Sequence, residues 1–306
     1  MPDPRYWRIR MKLAYEEDLT REAWDRDEVG IWYGAWTAED MYAVLNNEKD
    51  LQYLSKINHT HGLDWDVDKN ALHTAKRFAG IDECDWAIVY FDGVLGLAHT
   101  CSKILSASDH PLNGNGEVFK YRKIKSKKSF SLNRLPDGFR ILSFAGRGNI
   151  YEPRGSAGLA RLLGEARSES EVTDVLKSKS LGEALMLLGP ESWESLCQAY
   201  LILEHHFVPT GLATGRTLPN VDIVGRRSTD GARILAQCKK DPNPVCAPEE
   251  FLEAIADLGN GLAFFFAFGG CSEPAPGRVQ VVDREVIRQW AQTKNGAQYF
   301  DWLFGA

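Results

Sequence analysis

Asp222, Gln237 and Lys239 are the residues of this chain whose types and spacing point to chemistry. Asp222 stands in the short apolar run Val221–Val224, and Ala236-Gln237-Cys238-Lys239 follows fourteen residues on. Both stretches read as strands, over 221–224 and 233–238. Alternation along a strand puts Gln237 and Lys239 on one face and Ile234, Ala236 and Cys238 on the other. Gly231 lets the two strands turn and lie side by side, so that Asp222 comes near both polar side chains. A carboxylate, an amide carbonyl and an ammonium together suit phosphodiester hydrolysis. Asp222 offers Mg²⁺ a hard oxygen ligand, and the Gln237 carbonyl offers another. The metal would neutralise charge on the phosphate and lower the pKa of an attacking water. Lys239 would orient that water or stabilise the developing negative charge. As a base instead, it needs a pKa far below its ordinary value.

These residues need elements to hold them. Gly189-Pro190 opens a helix over 191–203, proline being tolerated in the first turn. Glu194 and Gln198 share one face of it, and Trp193, Leu196, Ala199, Tyr200 and Leu203 make its apolar stripe. Glu194 can complete a metal shell, with Glu191 and Glu204 as its competitors. His205-His206 ends the helix where the dipole favours a cation, and takes no catalytic role. Further on, 248–258 reads as a helix. Leu262–Phe268 reads as a strand covered on both faces. A strand follows over 279–282, then a helix over 284–292 capped by Asp283. The order helix, strand, strand, helix, strand, strand, helix predicts an α/β fold with a mixed sheet flanked by helices.

On these elements, residues 190–270 resemble the catalytic domain of Mrr-type restriction endonucleases, within the PD-(D/E)xK nuclease superfamily. The matching pieces are an acidic helix (193–202), the apolar-flanked Asp222 (221–225), a strand ending in Gln237-Cys238-Lys239, and a helix with a hydrophobic strand (248–268). The family often carries Gln where its relatives carry Glu. Its glycine-rich approach to the Asp is weakly kept, because Pro219-Asn220 occupies the turn and Gly215 is distant. The resemblance implies a restriction-endonuclease-like C-terminal domain. Asp222, Gln237 and Lys239 are then catalytic, with Glu194 the accessory helical acid. Asp222, Gln237 and Glu194 hold Mg²⁺. It also implies a prokaryotic restriction or defence setting with double-stranded DNA as substrate, and leaves a homodimer open. The alternative is a nucleic-acid-binding or sensor module on a degenerate nuclease fold. A protein–protein adaptor is a third reading.

The rest of the chain sets the context. It has 306 residues, 44% hydrophobic and 25% charged, which suits two soluble domains and excludes disordered or collagen-like classes. We read residues 1–152 as a substrate-recognition domain, mixed α/β or partly barrel-like. A helical connector spans 153–180 and the nuclease-like domain 181–306. In the first part, 29–36 reads as a strand and turn, 38–47 and 68–78 as helices, and 86–105 as a hairpin turning at Asp92-Gly93. Phe119–Lys125, Ser129–Leu132 and Phe139–Phe144 read as further strands. Residues 157–166, 169–176 and 181–188 read as short helices.

Net charge is -6, yet residues 120–147 carry +8 and the remainder -14. Lys120, Arg122, Lys123, Lys125, Lys127 and Lys128, with Lys240 further on, are the candidate phosphate contacts. The bland alternative is a solvated, Lys-rich hairpin edge. Trp32, Tyr33 and Trp36 read as an aromatic core in preference to a pocket for a flipped base. Phe119, Tyr121, Phe130 and Phe139 likewise read as core rather than stacking platforms. The Arg147-Gly148-Asn149 turn is a weak ligand-loop candidate. Six scattered cysteines without a CxxC pair read as reduced thiols of a cytoplasmic protein. Neither a secretory leader nor a membrane span is expected.

Overall fold

A computed structural model describes residues 4–11, 19–101, 103–143, 150–153, 156–210 and 221–305. The chain divides into two compact units, one of residues 1–135 with 139–172, the other of 136–138 with 173–306.

The first unit is built on strands β1 (Tyr6–Ile9), β2 (Glu28–Trp32), β3 (Trp86–Phe91), β4 (Val94–Thr100), β5 (Phe119–Ser131) and β6 (Ile150–Tyr151). They form one sheet in the order β2-β5-β4-β3-β1-β6, antiparallel except for the β1–β3 pair. Strands β1 and β2 also touch each other, so the sheet curls. Helices α1 (Thr20–Asp25), α2 (Ala38–Leu45), α3 (Leu51–Thr60), α4 (Lys69–Ala79) and α5 (Ala157–Glu165) accompany it. Local chemistry explains their starts. Thr37 and Asp40 close a reciprocal capping box on α2, while Asp50 and Asp68 cap α3 and α4. Asp92 and Gly93 both take positive φ in the β3–β4 turn, as a two-residue hairpin requires.

The sequence expectation fails in two places here. Phe119–Ser131 is one long strand, because its first half pairs with β2 and its second with β4, and Leu132 opens a short 3-10 helix. Residues 137–143 form a 3-10 helix instead of a strand, with Phe139 and Leu142 buried three apart. Alternating apolar residues fitted either period there, and Phe144 lies outside the described residues.

The second unit holds the candidate site. Helix α6 (Glu169–Ser178) contains the division between the units. Then come α7 (Leu181–Met186), α8 (Pro190–His205), β7 (Phe207–Pro209), β8 (Ile223–Arg227), β9 (Arg233–Lys239), α9 (Glu249–Ala256), β10 (Leu262–Ala267), β11 (Val279–Val282), α10 (Arg284–Trp290) and α11 (Lys294–Phe304). Its sheet runs β11-β10-β9-β8-β7. Strands β7, β8 and β9 form an antiparallel meander, and β10 and β11 add in parallel. The mixed α/β architecture read from the sequence is therefore present. Strand β7 and helix α11 went unread, the first for being three residues long.

Helices cover both faces of this sheet. On one face α8 sets Tyr200 against Phe266, His205 against Phe264 and Trp193 against Phe268. On the other, Phe251 of α9 meets Phe265. That double cover is why the run from Leu262 is almost continuously apolar. Burying each such ring contributes on the order of 2–3 kcal/mol.

Candidate active site

Residues Ile223 to Arg226 of β8 pair with Ala236 to Arg233 of β9, and Asp222 stands one residue ahead of its strand. Val221 and Val224 both pack into the core beside α9, three residues apart where strict alternation would allow two or four. The break falls at Asp222-Ile223. It frees the Asp222 carboxylate to turn toward the end of β9.

That carboxylate is held firmly. The Asp222 backbone N–H donates to Ala236 O at 2.9 Å. Its Oδ2 accepts from Gln237 Nε2 at 2.6 Å and from the backbone N–H of Cys238 at 2.7 Å. Hydrogen bonds to a carboxylate are worth roughly 1.5–3 kcal/mol each. Gln237 is 3% exposed. Its amide nitrogen must face Asp222, since its oxygen there would repel the carboxylate. This leaves Oε1 buried with no hydrogen-bond partner among the described residues. A buried orphan carbonyl costs roughly 1–3 kcal/mol.

The remaining predicted residues divide by face. Gln237 pairs in register with Phe265 and Lys239 with Ala267, which puts both on the α9 side of the sheet. Glu194 belongs to α8, on the other side. It is half-buried, and its carboxyl is pushed up first by burial and then by the charges of Asp222 and Glu191. Asp222 thus links the two faces, to Gln237 by a hydrogen bond and to Glu194 by charge. Lys239, half-exposed at the end of β9, makes no ion pair with either acid among the described residues. Glu191 is exposed at the start of α8, and Glu204 accepts from Trp290 Nε1 at 2.8 Å. Of the three helical acids, Glu194 is the one whose carboxyl the Asp222 charge pushes up. His205 packs on Phe264, burial lowering its pKa, and His206 takes the left-handed cap position.

Cys238 alternates back toward α8, where it meets the buried Cys197. Burial pushes both thiols up, so they are poor nucleophiles. The sequence reading missed the Cys238 N–H as an anchor for Asp222. Backbone donors carry no signature in residue type.

The basic segment of the first unit is largely spent internally. Lys120 and Arg122 are fully buried, because the first half of β5 lies between β2 and the Leu105 bridge to Tyr121. Lys120 Nζ donates to the carbonyls of Tyr33, Gly34 and Trp36 and sits 4.1 Å from the Trp36 ring centroid. Arg122 donates to Phe78 O, Ala79 O and Cys101 O, closing the C-terminal end of α4. Burial pulls the Lys120 ammonium down to about 7, and neither side chain is presented to a polyanion. Lys123 pairs with Glu28 and Lys125 with Glu83. Lys127 pairs with Asp27, and Lys128 donates to Gly164 O and Ala166 O. Trp32, Trp36, Phe119, Tyr121, Phe130 and Phe139 are all buried, as the core reading expects. Arg147-Gly148-Asn149 lies outside the described residues.

Among the described residues, no three His, Cys, Asp or Glu side chains form a metal-sized cluster. The oxygen donors at hand are two carboxylates and one amide carbonyl, from Asp222, Glu194 and Gln237. All six cysteines are free thiols. No described helix is long and apolar enough to cross a membrane. Compared with protein-family models, curated proteins and solved structures, the chain gives no match.

Proposed function

We propose that this chain is a Mg²⁺-dependent endonuclease that hydrolyses phosphodiester bonds in DNA, in a restriction or defence role of type II or type IV character. The observation that carries the reading is the cross-strand contact of Asp222 and Gln237, which leaves a buried amide oxygen unpaired. Its setting supports it. The order α8-β7-β8-β9-α9-β10 keeps the acidic helix, the Asp222 strand, the strand ending in Gln237-Cys238-Lys239, and the helix and apolar strand on which the resemblance to that family rests. The first unit would then select the substrate.

The residues fit a hard divalent cation. Gln237 Oε1 lacks a donor, and burial and then the Asp222 charge raise the cost of ionising Glu194, which a cation offsets. Asp222, Glu194 and Gln237 would hold it. When bound, Mg²⁺ supplies charge neutralisation at the phosphate and acidifies water. The chain's own residues do the positioning. Gln237 Nε2 and the Cys238 N–H fix Asp222 Oδ2, so that Oδ1 remains for the ligand. Lys239, at the open end of β9, brings an ammonium to charge that develops on the phosphate.

A second reading, binding without cutting, draws on the same contact, since two N–H donors occupy Asp222 Oδ2. Plasmid DNA, modified and unmodified, should be incubated with Mg²⁺ or EDTA and with wild type, Asp222→Ala or Lys239→Ala. Cleavage that needs the metal and falls at least about a hundredfold in both variants supports the enzyme. Folded wild type that binds DNA yet leaves it intact supports the second reading.

A further inference from the structure

Lys240 follows Lys239 but leans to the opposite face, where α8 packs. Its Nζ sits 3.0 Å from the centroid of the Phe268 ring and 5.7 Å from that of Trp193. Arg284, the first residue of α10, brings its guanidinium carbon to 5.8 Å from the same Phe268 ring. Phe268 and Trp193 are buried and stacked edge-on at 5.2 Å, so the platform is rigid. One ring therefore carries two cations from distant parts of the chain.

These cations lack a counter-charge. Among the described residues, neither Lys240 nor Arg284 has a carboxylate partner. The Trp193 indole N–H, in the same cluster, has no acceptor. Burial first, and then the charge of Arg284, pulls the Lys240 ammonium down to about 8. Cation–π contact returns roughly 0.5–2 kcal/mol and removes neither the repulsion nor the desolvation. An anion would relieve both. The cluster also adjoins the candidate active site twice over, since Lys240 neighbours Lys239 and Trp193 neighbours Glu194.

We infer that Lys240 and Arg284 form a phosphate subsite on the Phe268 ring, which grips the backbone of the DNA strand whose scissile bond lies at Asp222. This rests on the nuclease reading above. An arginine fork supplies two parallel N–H donors to a phosphate, and a lysine supplies a compact charge. Such contacts set register and carry no sequence information.

Binding of a short duplex, followed by fluorescence anisotropy in EDTA across a salt series, tests it in wild type, Lys240→Gln and Arg284→Gln. Arg284 is exposed, so its variant should keep the fold. Each substitution should weaken binding about fivefold near 0.1 M salt and lower the log K–log salt slope by about one. Slopes unchanged in both variants overturn the subsite, while Mg²⁺-dependent cleavage would still uphold the nuclease. If wild type neither binds nor cuts DNA, the nuclease reading falls and inorganic pyrophosphate decides the subsite. Thermal stabilisation of wild type by pyrophosphate, lost in both variants, supports an anion site; none in wild type overturns it.

Discussion

Gln237 shows how one side chain ties stability to chemistry. Its amide can satisfy Asp222 only by leaving Oε1 unpaired in a buried place. Gln237→Glu would set a second carboxylate where a donor now lies 2.6 Å from Asp222 Oδ2. In EDTA at pH 7 that repulsion should lower Tm by about 5–10 °C. Millimolar Mg²⁺ should restore most of it, and KCl at equal ionic strength should not. Equal recovery in both salts would remove the cation site. Asp85, in the first unit, makes the opposite case of a carboxylate fully provided for. Burial works against its charge, but the Asp82 N–H, the Trp7 indole and Arg5 outweigh that and hold its pKa low. With the folded value depressed, its stabilisation is complete above the unfolded value of about 3.9 and is lost as pH falls through the folded one. Asp85→Asn should cost about 2 kcal/mol at pH 7 and flatten acid unfolding below pH 4. A parallel acid limb in urea titrations of the two proteins would contradict this.

At the scale of elements, the site depends on how tightly β8 lies against β7. A Cβ on Gly225 would fall 2.2 Å from the Phe207 ring and 2.3 Å from Val208 O, so only glycine permits the pairing. Gly225→Val should cost about 3 kcal/mol and shift the strand that leads from Asp222. Cleavage should fall with it. A variant as stable as wild type by chemical denaturation would show that β7 yields. The same logic governs β5, whose place inside β2 in the sheet turns Lys120 and Arg122 into internal supports. Their N–H groups take up loop and helix-end carbonyls that would otherwise be orphaned.

Across the whole molecule, the charge average misleads twice. A net charge of -6 conceals a strongly basic segment, and that segment is largely neutralised where it stands. Exposed ion pairs are individually worth little, yet they quench the local field that would draw a polyanion. Replacing Lys123, Lys125, Lys127 and Lys128 together by Gln should therefore change the salt slope of DNA binding by less than the loss of Lys240 and Arg284. A drop of three or more in that slope would return the basic segment to the centre of recognition.

The sequence alone determined what depends on local rules. Thr37 and Asp40, Asp68, Pro190 and Asp283 announced helix starts because capping is settled within one turn. Asp92-Gly93 announced a hairpin because few residues accept positive φ. The apolar run of β10 announced a strand buried on both faces. The two short strands around Gly231 placed Asp222 beside Gln237, where the structure has a hydrogen bond. Tertiary structure decided the rest. Whether a lysine meets water or a ring of carbonyls depends on which strands flank it, so Lys120 and Lys125 looked alike in the sequence and differ completely in burial. The strand break at Asp222, the orphaned Gln237 oxygen and the meeting of Lys240 with Arg284 arise from packing between segments far apart in the chain. No local pattern encodes such contacts, because their energies exist only once the elements that carry them are assembled.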